Sequence, residues 1–243
     1  MLPGAQNDER FPATRWSRVV AAGDPSSPDA RAALDDICRD YWFPLYVYVR
    51  RWGRSPEDAE DLTQGFFARI LERGFLADAD RSKGKLRTFL LTALKHYLTD
   101  EHHKANTLKR GGGKIPLSID AALAEELYAL EPKDEASPDR LYEKRWALTL
   151  LDNVLAALRA DYARAGKAEL FDTLQPALAW NAGGDRYSDL AAALGMKENA
   201  VRVAIFRLRR RYGDLLRQQV AETVASPDEV AAELDNLMTV LRT

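Results

Sequence analysis

The stretch RYSDLAAALGMKENAVRVAIFRLRRRYGDLL, residues 186–216, decides the fold of the C-terminal half of this chain. Ser188 is predicted to cap a short helix, and Gly195 stands where a left-handed residue would end it. A longer helix begins at Glu198 or Asn199. Its apolar positions follow a helical repeat; they are Val201, Ile205, Leu208, Tyr212 and Leu215. A short helix, a glycine turn and a basic second helix predict a helix-turn-helix, a motif whose second helix enters the major groove of DNA.

The positive charge of this half is concentrated on the second helix. From Lys197 to Arg217 there are seven basic residues against two acids, a net charge of +5. Arginines near the helix start are expected to reach base edges, and the later ones to contact phosphates. The alternative is a generic helical hairpin with an exposed arginine-rich face. Gly195 and the restriction of the bases to the second helix argue against that alternative.

Helical periodicity extends through nearly all of the remaining sequence, and no alternating strand pattern is seen. Residues 30–52 form a predicted helix, interrupted at Pro44; its apolar positions are Leu34, Ile37, Cys38, Tyr41, Trp42, Leu45, Val49 and Trp52. A second helix starts at a Ser55 cap and has Ala59, Leu62, Phe66 and Ile70 on its apolar face. A third helix is predicted over 85–103.

The predicted fold is therefore all-α, with two helical domains joined by a flexible linker and a C-terminal amphipathic helix. Its segments are an N-terminal extension (1–29), a first helical domain (30–110), a linker with a short helix at 121–130 (111–139), the helix-turn-helix domain (140–220) and a helical tail (221–243). The apolar stripe of the tail comprises Val230, Leu234, Leu237, Met238 and Leu241. This stripe predicts that the tail packs on a domain or a partner, and an autoinhibitory role is one hypothesis for it.

Charge is segregated along the chain although the net charge is only −2. Residues 55–80 carry −5 and residues 81–115 carry +7. Such separation favours contacts with several macromolecules over simple solvated helix faces. The single cysteine, Cys38, excludes a disulfide within the chain, and no signal peptide or long apolar run is recognised, so a cytoplasmic protein without a membrane span is expected.

All three histidines fall within LKHYLTDEHHKANTLKRGGGK, residues 94–114. Their spacing does not suit convergent metal ligands on a helix, and no nucleophile motif is present, so no metal, no cofactor and no enzymatic activity are predicted. A zinc-dependent hydrolase is the alternative that this spacing disfavours. Lysines interleaved with aromatic and histidine rings are typical of surfaces that hold single-stranded nucleic acid.

Three stretches together resemble a bacterial RNA polymerase sigma factor, and more narrowly the extracytoplasmic-function type, which keeps two of the helical domains. They are SPEDAEDLTQGFFARILERG (55–74), KLRTFLLTALKHYLTDE (85–101) and YSDLAAALGMKENAVRVAIFRLRRR (187–211). The resemblance covers roughly 30–110 and 140–218. It implies a protein that binds core RNA polymerase, recognises promoter DNA as duplex and as non-template single strand, and promotes strand opening.

The resemblance also implies roles for individual residues. Docking on the clamp helices of the polymerase is implied for Asp58, Glu60, Asp61, Gln64 and Phe67. Binding of the minus-ten element is implied for Arg87, Thr88, Lys95, His96, His102, His103, Lys104, Lys109 and Arg110. Reading of the minus-thirty-five element is implied for Lys197, Asn199, Arg202, Val203, Phe206, Arg207, Arg210 and Arg211.

Several positions depart from the family pattern. His96 stands where the family usually has Asn, and His102–His103 stand where it usually has two arginines. Val203 and Ala204 replace polar or basic residues, which favours apolar contact with thymine methyl groups. An anti-sigma factor or another regulator is a further partner that the resemblance allows. The alternative function is a stand-alone helix-turn-helix regulator whose N-terminal domain dimerises or binds a ligand.

Overall fold

The computed structural model describes residues 30–72, 84–107, 121–129, 137–179 and 185–242, which contain helices and no strand. The predicted all-α class is therefore confirmed. In chain order the helices are α1 (Ala30–Arg51), α2 (Pro56–Glu72), α3 (Leu86–Thr107), α4 (Ala121–Ala129), α5 (Pro138–Arg164), α6 (Ala168–Leu174), α7 (Asp185–Leu194), α8 (Glu198–Ala221) and α9 (Val230–Arg242). None of these helices has both the length and the apolar composition that crossing a membrane requires.

The chain forms two compact units. The first unit runs up to Ala147 and resumes at Ala221, and the second unit is Leu148–Val220. The C-terminal tail therefore groups with the first unit, although it follows the helix-turn-helix directly in sequence. That grouping is not indicated by the order of the segments along the chain.

Helix α1 is the centre of the first unit and packs against α2 and α3. The predicted interruption at Pro44 is wrong, because α1 continues through it. Proline removes one backbone hydrogen bond and costs about 3 kcal/mol inside a helix. Here the residues on both sides, from Tyr41 to Val49, are almost all buried. Burial of that many large apolar side chains outweighs a single lost bond.

The turn after α1 confirms one prediction and corrects another. The Ser55 cap is confirmed, since its Oγ accepts a hydrogen bond from the backbone N–H of Asp58 at 3.1 Å. Trp52, predicted to face the core, is 47% exposed. It lies beyond the end of α1, in a turn where Gly53 has a positive φ of 83°, so it no longer follows the helical stripe.

The short helix expected within the linker is confirmed as α4. It is tied to the first unit by its Glu125 carboxylate, which accepts hydrogen bonds from Arg50 Nη2 at 2.7 Å and from Tyr46 Oη at 2.6 Å. The Arg50 guanidinium also lies 4.7 Å from the centre of the Tyr128 ring. This part of the predicted flexible linker is therefore helical and held on α1.

Helix α9 has the predicted amphipathic character, with one correction. Leu237 is buried, whereas Met238, assigned to the same stripe, is half exposed. The buried position one turn before Leu237 is Glu233, a charged residue that hydrophobic patterning could not select. Upstream of α9, Thr223 and Val224 are also buried and anchor the tail in the first unit.

The second unit is a helix-turn-helix on a small apolar core. Gly195 has a φ of 60° and ends α7, as predicted, and the next N–H, of Met196, donates to the Ala191 carbonyl at 3.0 Å. The core comprises Val154, Leu158, Phe171, Leu174, Ala177, Val201, Ile205, Leu208 and Leu215. The predicted cap at Ser188 is wrong, because α7 already begins at Asp185 and Ser188 lies within it.

Candidate nucleic-acid interface

Helix α8 presents the predicted duplex-binding residues on one continuous exposed surface. All eight are exposed: Lys197, Asn199, Arg202, Val203, Phe206, Arg207, Arg210 and Arg211. The apolar pair is notable, because Val203 is 42% and Phe206 66% exposed. Large apolar side chains that the fold leaves open between cations suit contacts with base methyl groups.

Two arginines of α8 are oriented by neighbouring residues in the second unit. Arg202 pairs with Glu198 one turn earlier, at 2.5 Å, and its guanidinium lies 4.5 Å from the centre of the Tyr187 ring of α7. Arg211 Nε donates to Asp161 of α5 at 2.9 Å. Both ion pairs lie at the surface, so breaking either one costs little free energy. A phosphate can therefore replace the carboxylate in each pair.

Arg209 has a different role from its neighbours. Its Nη2 donates to the Ala177 carbonyl at 2.7 Å, which fixes the 3₁₀ turn Gln175–Ala179 against α8. Sequence reasoning counted Arg209 among the basic residues of the helix without separating it from them. Only its contact with a distant turn identifies it as a structural residue.

A groove of about 740 Å³ lies beside α8 within the second unit. Its apolar lining includes Tyr162, Leu170, Met196, Val203 and Ala204, and Lys167, Lys197 and Arg207 lie at the same groove. Sequence reasoning missed this groove, because its lining comes from three separate helices and the turn. The signal in the sequence was the presence of Val203 and Ala204 at positions where the resemblance implies polar or basic residues.

The acidic residues of α2 form a surface on the first unit, with one correction. Asp58 and Asp61 are exposed, and Gln64 Nε2 donates to Glu60 Oε1 at 2.8 Å on the same side. Phe67, assigned to this surface by resemblance, is fully buried. It lies one turn from the buried residues Thr63 and Ile70, so helical geometry turns it toward the core.

Helix α3 divides into an exposed part and a covered part. Thr88, His96, His102, His103 and Lys104 are exposed. The rings of His102 and His103 are 6.3 Å apart between centroids, and the described residues contain no group of three potential metal ligands. Lys109 and Arg110 lie outside the described residues.

Arg87 belongs to the covered part and is only 3% exposed, so the prediction that it faces DNA does not hold in this structure. Its Nε donates to Glu143 of α5 at 2.7 Å, and its Nη1 donates to Glu233 of α9. The guanidinium also lies 4.1 Å from the centre of the Trp146 ring. Burial opposes the charge, yet the two carboxylates raise the pKa of Arg87 above its ordinary value, so it stays charged.

Two lysines near Arg87 are also paired with carboxylates. Lys85, just before α3, donates to the second oxygen of Glu233. Lys95, one of the predicted minus-ten residues, donates to Asp139 at the start of α5, and that hydrogen bond raises the pKa of Lys95. Lys85, Arg87 and Lys95 are thus paired with acids from sequence-distant helices, whereas Lys104 pairs with Glu101 within α3 at 2.7 Å.

A cavity of about 380 Å³ opens between α2 and α3 next to His96. Its lining residues are Phe66, Arg69, Ile70, Ala93, His96, Tyr97 and Asp100. Arg69 Nη2 donates to Asp100 at 2.9 Å across the two helices. The Arg69 Nη1 is buried and has no hydrogen-bond partner among the described residues. The cavity therefore has aromatic walls, and its lining includes Arg69, whose Nη1 is buried and unpaired within the described part of the chain.

Gly65 allows Tyr97 to occupy this cavity wall. A Cβ atom at position 65 would lie 2.4 Å from the Tyr97 hydroxyl oxygen, so only glycine leaves room for it. Burial, together with the charge of Glu101, raises the pKa of Tyr97 to about 12. The hydroxyl consequently keeps its proton at neutral pH and can act as a donor.

The fold defines an all-α protein with a helix-turn-helix unit and a first unit in which α1 packs against α2 and α3. Residues 39–107, which run from α1 to the end of α3, match the family model of Sigma-70 region 2. This match supports a sigma-70 family factor. No curated protein and no solved structure matches the chain.

Proposed function

We propose that this chain is a sigma factor of the extracytoplasmic-function type, which binds core RNA polymerase, recognises promoter DNA and promotes strand opening. The observation that carries the proposal is the match of residues 39–107 to Sigma-70 region 2. The separation of charge along the sequence supports it, because an acidic segment (55–80) followed by a basic one (81–115) suits a protein partner and a nucleic acid. Its setting would be the cytoplasm, where the polymerase works.

In this proposal α2 docks on the polymerase. Asp58 and Asp61 are exposed on it, and the bond between Gln64 and Glu60 orders a polar patch beside them. Phe67 stabilises the helix from inside and makes no contact with the partner. The acidic charge steers association with a basic surface and weakens with added salt.

The helix-turn-helix reads the minus-thirty-five duplex with α8. Arg202 and Arg207 are placed to reach base edges, and Arg210 and Arg211 to contact phosphates. Val203 and Phe206 then favour sites with thymine, since an exposed apolar side chain gains from a methyl group in the major groove. The linker predicted at 111–139 sets the distance between the two DNA elements.

The first unit binds the opened minus-ten strand along α3. The cavity beside His96 and Tyr97 is lined with rings and donors, and its volume of about 380 Å³ is enough to admit a nucleobase. Unstacking a base costs a few kcal/mol, which stacking and hydrogen bonding in such a pocket can offset. His102, His103 and Lys104 continue the surface toward the end of α3.

A pull-down with core RNA polymerase tests the proposal. Wild-type protein is expected to bind, and Asp61→Arg is expected to weaken binding at least about tenfold through charge reversal at the contact. Asp235→Arg, which makes the same charge change at an exposed position of α9, serves as the control. If the wild type fails to bind, or Asp61→Arg binds as well as the control, the sigma assignment is wrong. Duplex binding without polymerase binding would favour the stand-alone regulator.

A further inference from the structure

The C-terminal helix α9 places a buried carboxylate on cations of the α3 region. Glu233 is 1% exposed and accepts hydrogen bonds from both Arg87 and Lys85. Leu237 is buried one turn later on the same face of α9, while Met238 is exposed. The contact of α9 with the first unit therefore combines the ion pairs of Glu233 with Arg87 and Lys85 and the burial of the apolar Leu237 side chain.

The chemistry at this contact is that of phosphate recognition. An arginine and a lysine converging on two oxygens of one anion would bind a phosphodiester in the same way. Arg87 and Lys85 also lie within residues 39–107, the segment that matches Sigma-70 region 2. Glu233 thus occupies the position that a strand of nucleic acid would occupy if these cations faced it.

The charge balance favours a displaceable contact over a purely structural one. Lys85 and Arg87 face Glu233 and Glu143, so the group is neutral as observed and carries one net positive charge without Glu233. A buried ion pair is often no more stabilising than an apolar contact of the same size, so it is a poor device for permanent attachment. A competing anion can, however, replace the Glu233 carboxylate in this ion pair.

A buried anchor segment and a short turn precede α9 in the tail. Thr223 and Val224 form the buried anchor, whereas the Glu233 carboxylate of α9 is held by Arg87 and Lys85. A short 3₁₀ turn at Pro227–Glu229 separates this anchor from α9. Movement at that turn would release Lys85 and the Nη1 side of Arg87 from Glu233, while Glu143 and Trp146 of α5 would still contact Arg87.

We propose that α9 is an intramolecular competitor of DNA, in which the Glu233 carboxylate holds Arg87 and Lys85 in place of a phosphate of the single strand. The free protein keeps this part of its DNA surface closed, and release of α9 opens it. The proposal rests on the proposed function, in that it takes the α3 surface to bind a single strand.

The test measures binding of a fluorescein-labelled, mixed-sequence 20-nucleotide single-stranded DNA to the full chain by anisotropy, without polymerase. Glu233→Gln is expected to bind at least about fivefold more tightly than wild type. The slope of log K against log salt should steepen by about 0.7 for each phosphate newly engaged. Asp235→Asn, the same charge change at an exposed position of α9, is the matched control and should behave as wild type.

A truncation and a peptide provide independent readouts. Removal of residues 227–243, which keeps the buried anchor, should raise affinity as much as Glu233→Gln does. A synthetic 227–243 peptide should then compete with the oligonucleotide for the truncated protein, and the peptide with Glu233→Gln should not. Amide exchange over 230–242 should be faster in Glu233→Gln than in the control.

The outcomes separate this inference from the proposed function. Unchanged or weaker DNA binding in both variants overturns the inference, and so does loss of folding in both, since α9 would then be an integral part of the unit. If polymerase binds and Asp61 matters while Glu233 does not, only the inference fails. If Glu233→Gln gains DNA affinity but the polymerase does not bind, the inference stands and the sigma assignment fails.

Discussion

Substitution of Gly65 by alanine tests how α2 and α3 shape the cavity beside His96. The new Cβ atom would lie 2.4 Å from the Tyr97 hydroxyl oxygen but 3.5 Å from the ring carbon that bears it. The second distance is an ordinary contact, so the conflict is confined to the hydroxyl group. Displacing the ring by about 1 Å should cost about 1–3 kcal/mol, as overpacking in a core does.

The opposing effect is the helix propensity of alanine. Replacing glycine inside a helix contributes about 1 kcal/mol. Gly65→Ala alone should therefore change the free energy of unfolding by between about 0 and 2 kcal/mol in the destabilising direction. In a Tyr97→Phe background the same change should stabilise the protein by about 1 kcal/mol, because the clashing oxygen is gone.

A double-mutant cycle in urea measures the coupling. Helical circular dichroism reports on both units, so the same measurement follows positions 65 and 97 in the first unit and position 213 in the second. Gly213→Ala in α8 is the control, since its Cβ would meet only Arg217 Nη1 at 3.5 Å and should show the plain propensity gain. A coupling energy below about 0.5 kcal/mol between positions 65 and 97 would refute the packing argument.

Three further predictions concern other parts of the molecule. Gly195→Ala should destabilise the second unit by about 1–2 kcal/mol in urea, because φ is 60° there, and Gly195→Asn should cost less. The hydrogen bond from Arg50 lowers the pKa of Glu125, so the stability of the α1–α4 contact should be full above the unfolded glutamate pKa of about 4.3. This stabilisation should be lost as the pH falls through the lowered pKa of Glu125 in the folded chain. Amide exchange over 121–129 should become faster over that pH range, and Glu125→Gln should remove the pH dependence. Arg210→Ala should weaken duplex binding and reduce the slope of log K against log salt by about 0.9, measured by anisotropy in a KCl titration; an unchanged slope would contradict its assignment as a phosphate contact.

The sequence predicted much of the local structure because the relevant signals are short-range. The Ser55 cap, the end of α7 at Gly195 and the helix within the linker each depend on residues within a few positions of one another. The wrong predictions also rested on short-range signals. Pro44 has the right chemistry for a break, but the buried residues around it keep α1 continuous. Ser188 has the right chemistry for a cap, but α7 begins three residues earlier, at Asp185.

The candidate site was predicted in part. The exposed face of α8 follows from periodicity, since each predicted residue lies opposite the buried stripe of Val201, Ile205 and Leu208. Phe67 was misplaced because resemblance assigned it a contact, whereas its helical position turns it inward. The groove beside α8 and the cavity beside His96 could not be predicted, as each is formed by residues of separate helices.

The sequence by itself determined the all-α class, the helix-turn-helix and the segregation of charge, because periodicity, capping and composition are written in consecutive residues. Only the tertiary structure decided which charged side chains remain accessible to a binding partner. Arg87 and Lys95 look equivalent to other cations in the sequence, yet carboxylates of α9 and α5 neutralise them. Glu233 lies 146 residues from Arg87, and no local pattern can pair groups so far apart. Arg87 and Glu233 are both buried, so each charge needs an oppositely charged partner, and burial is a property of the folded chain.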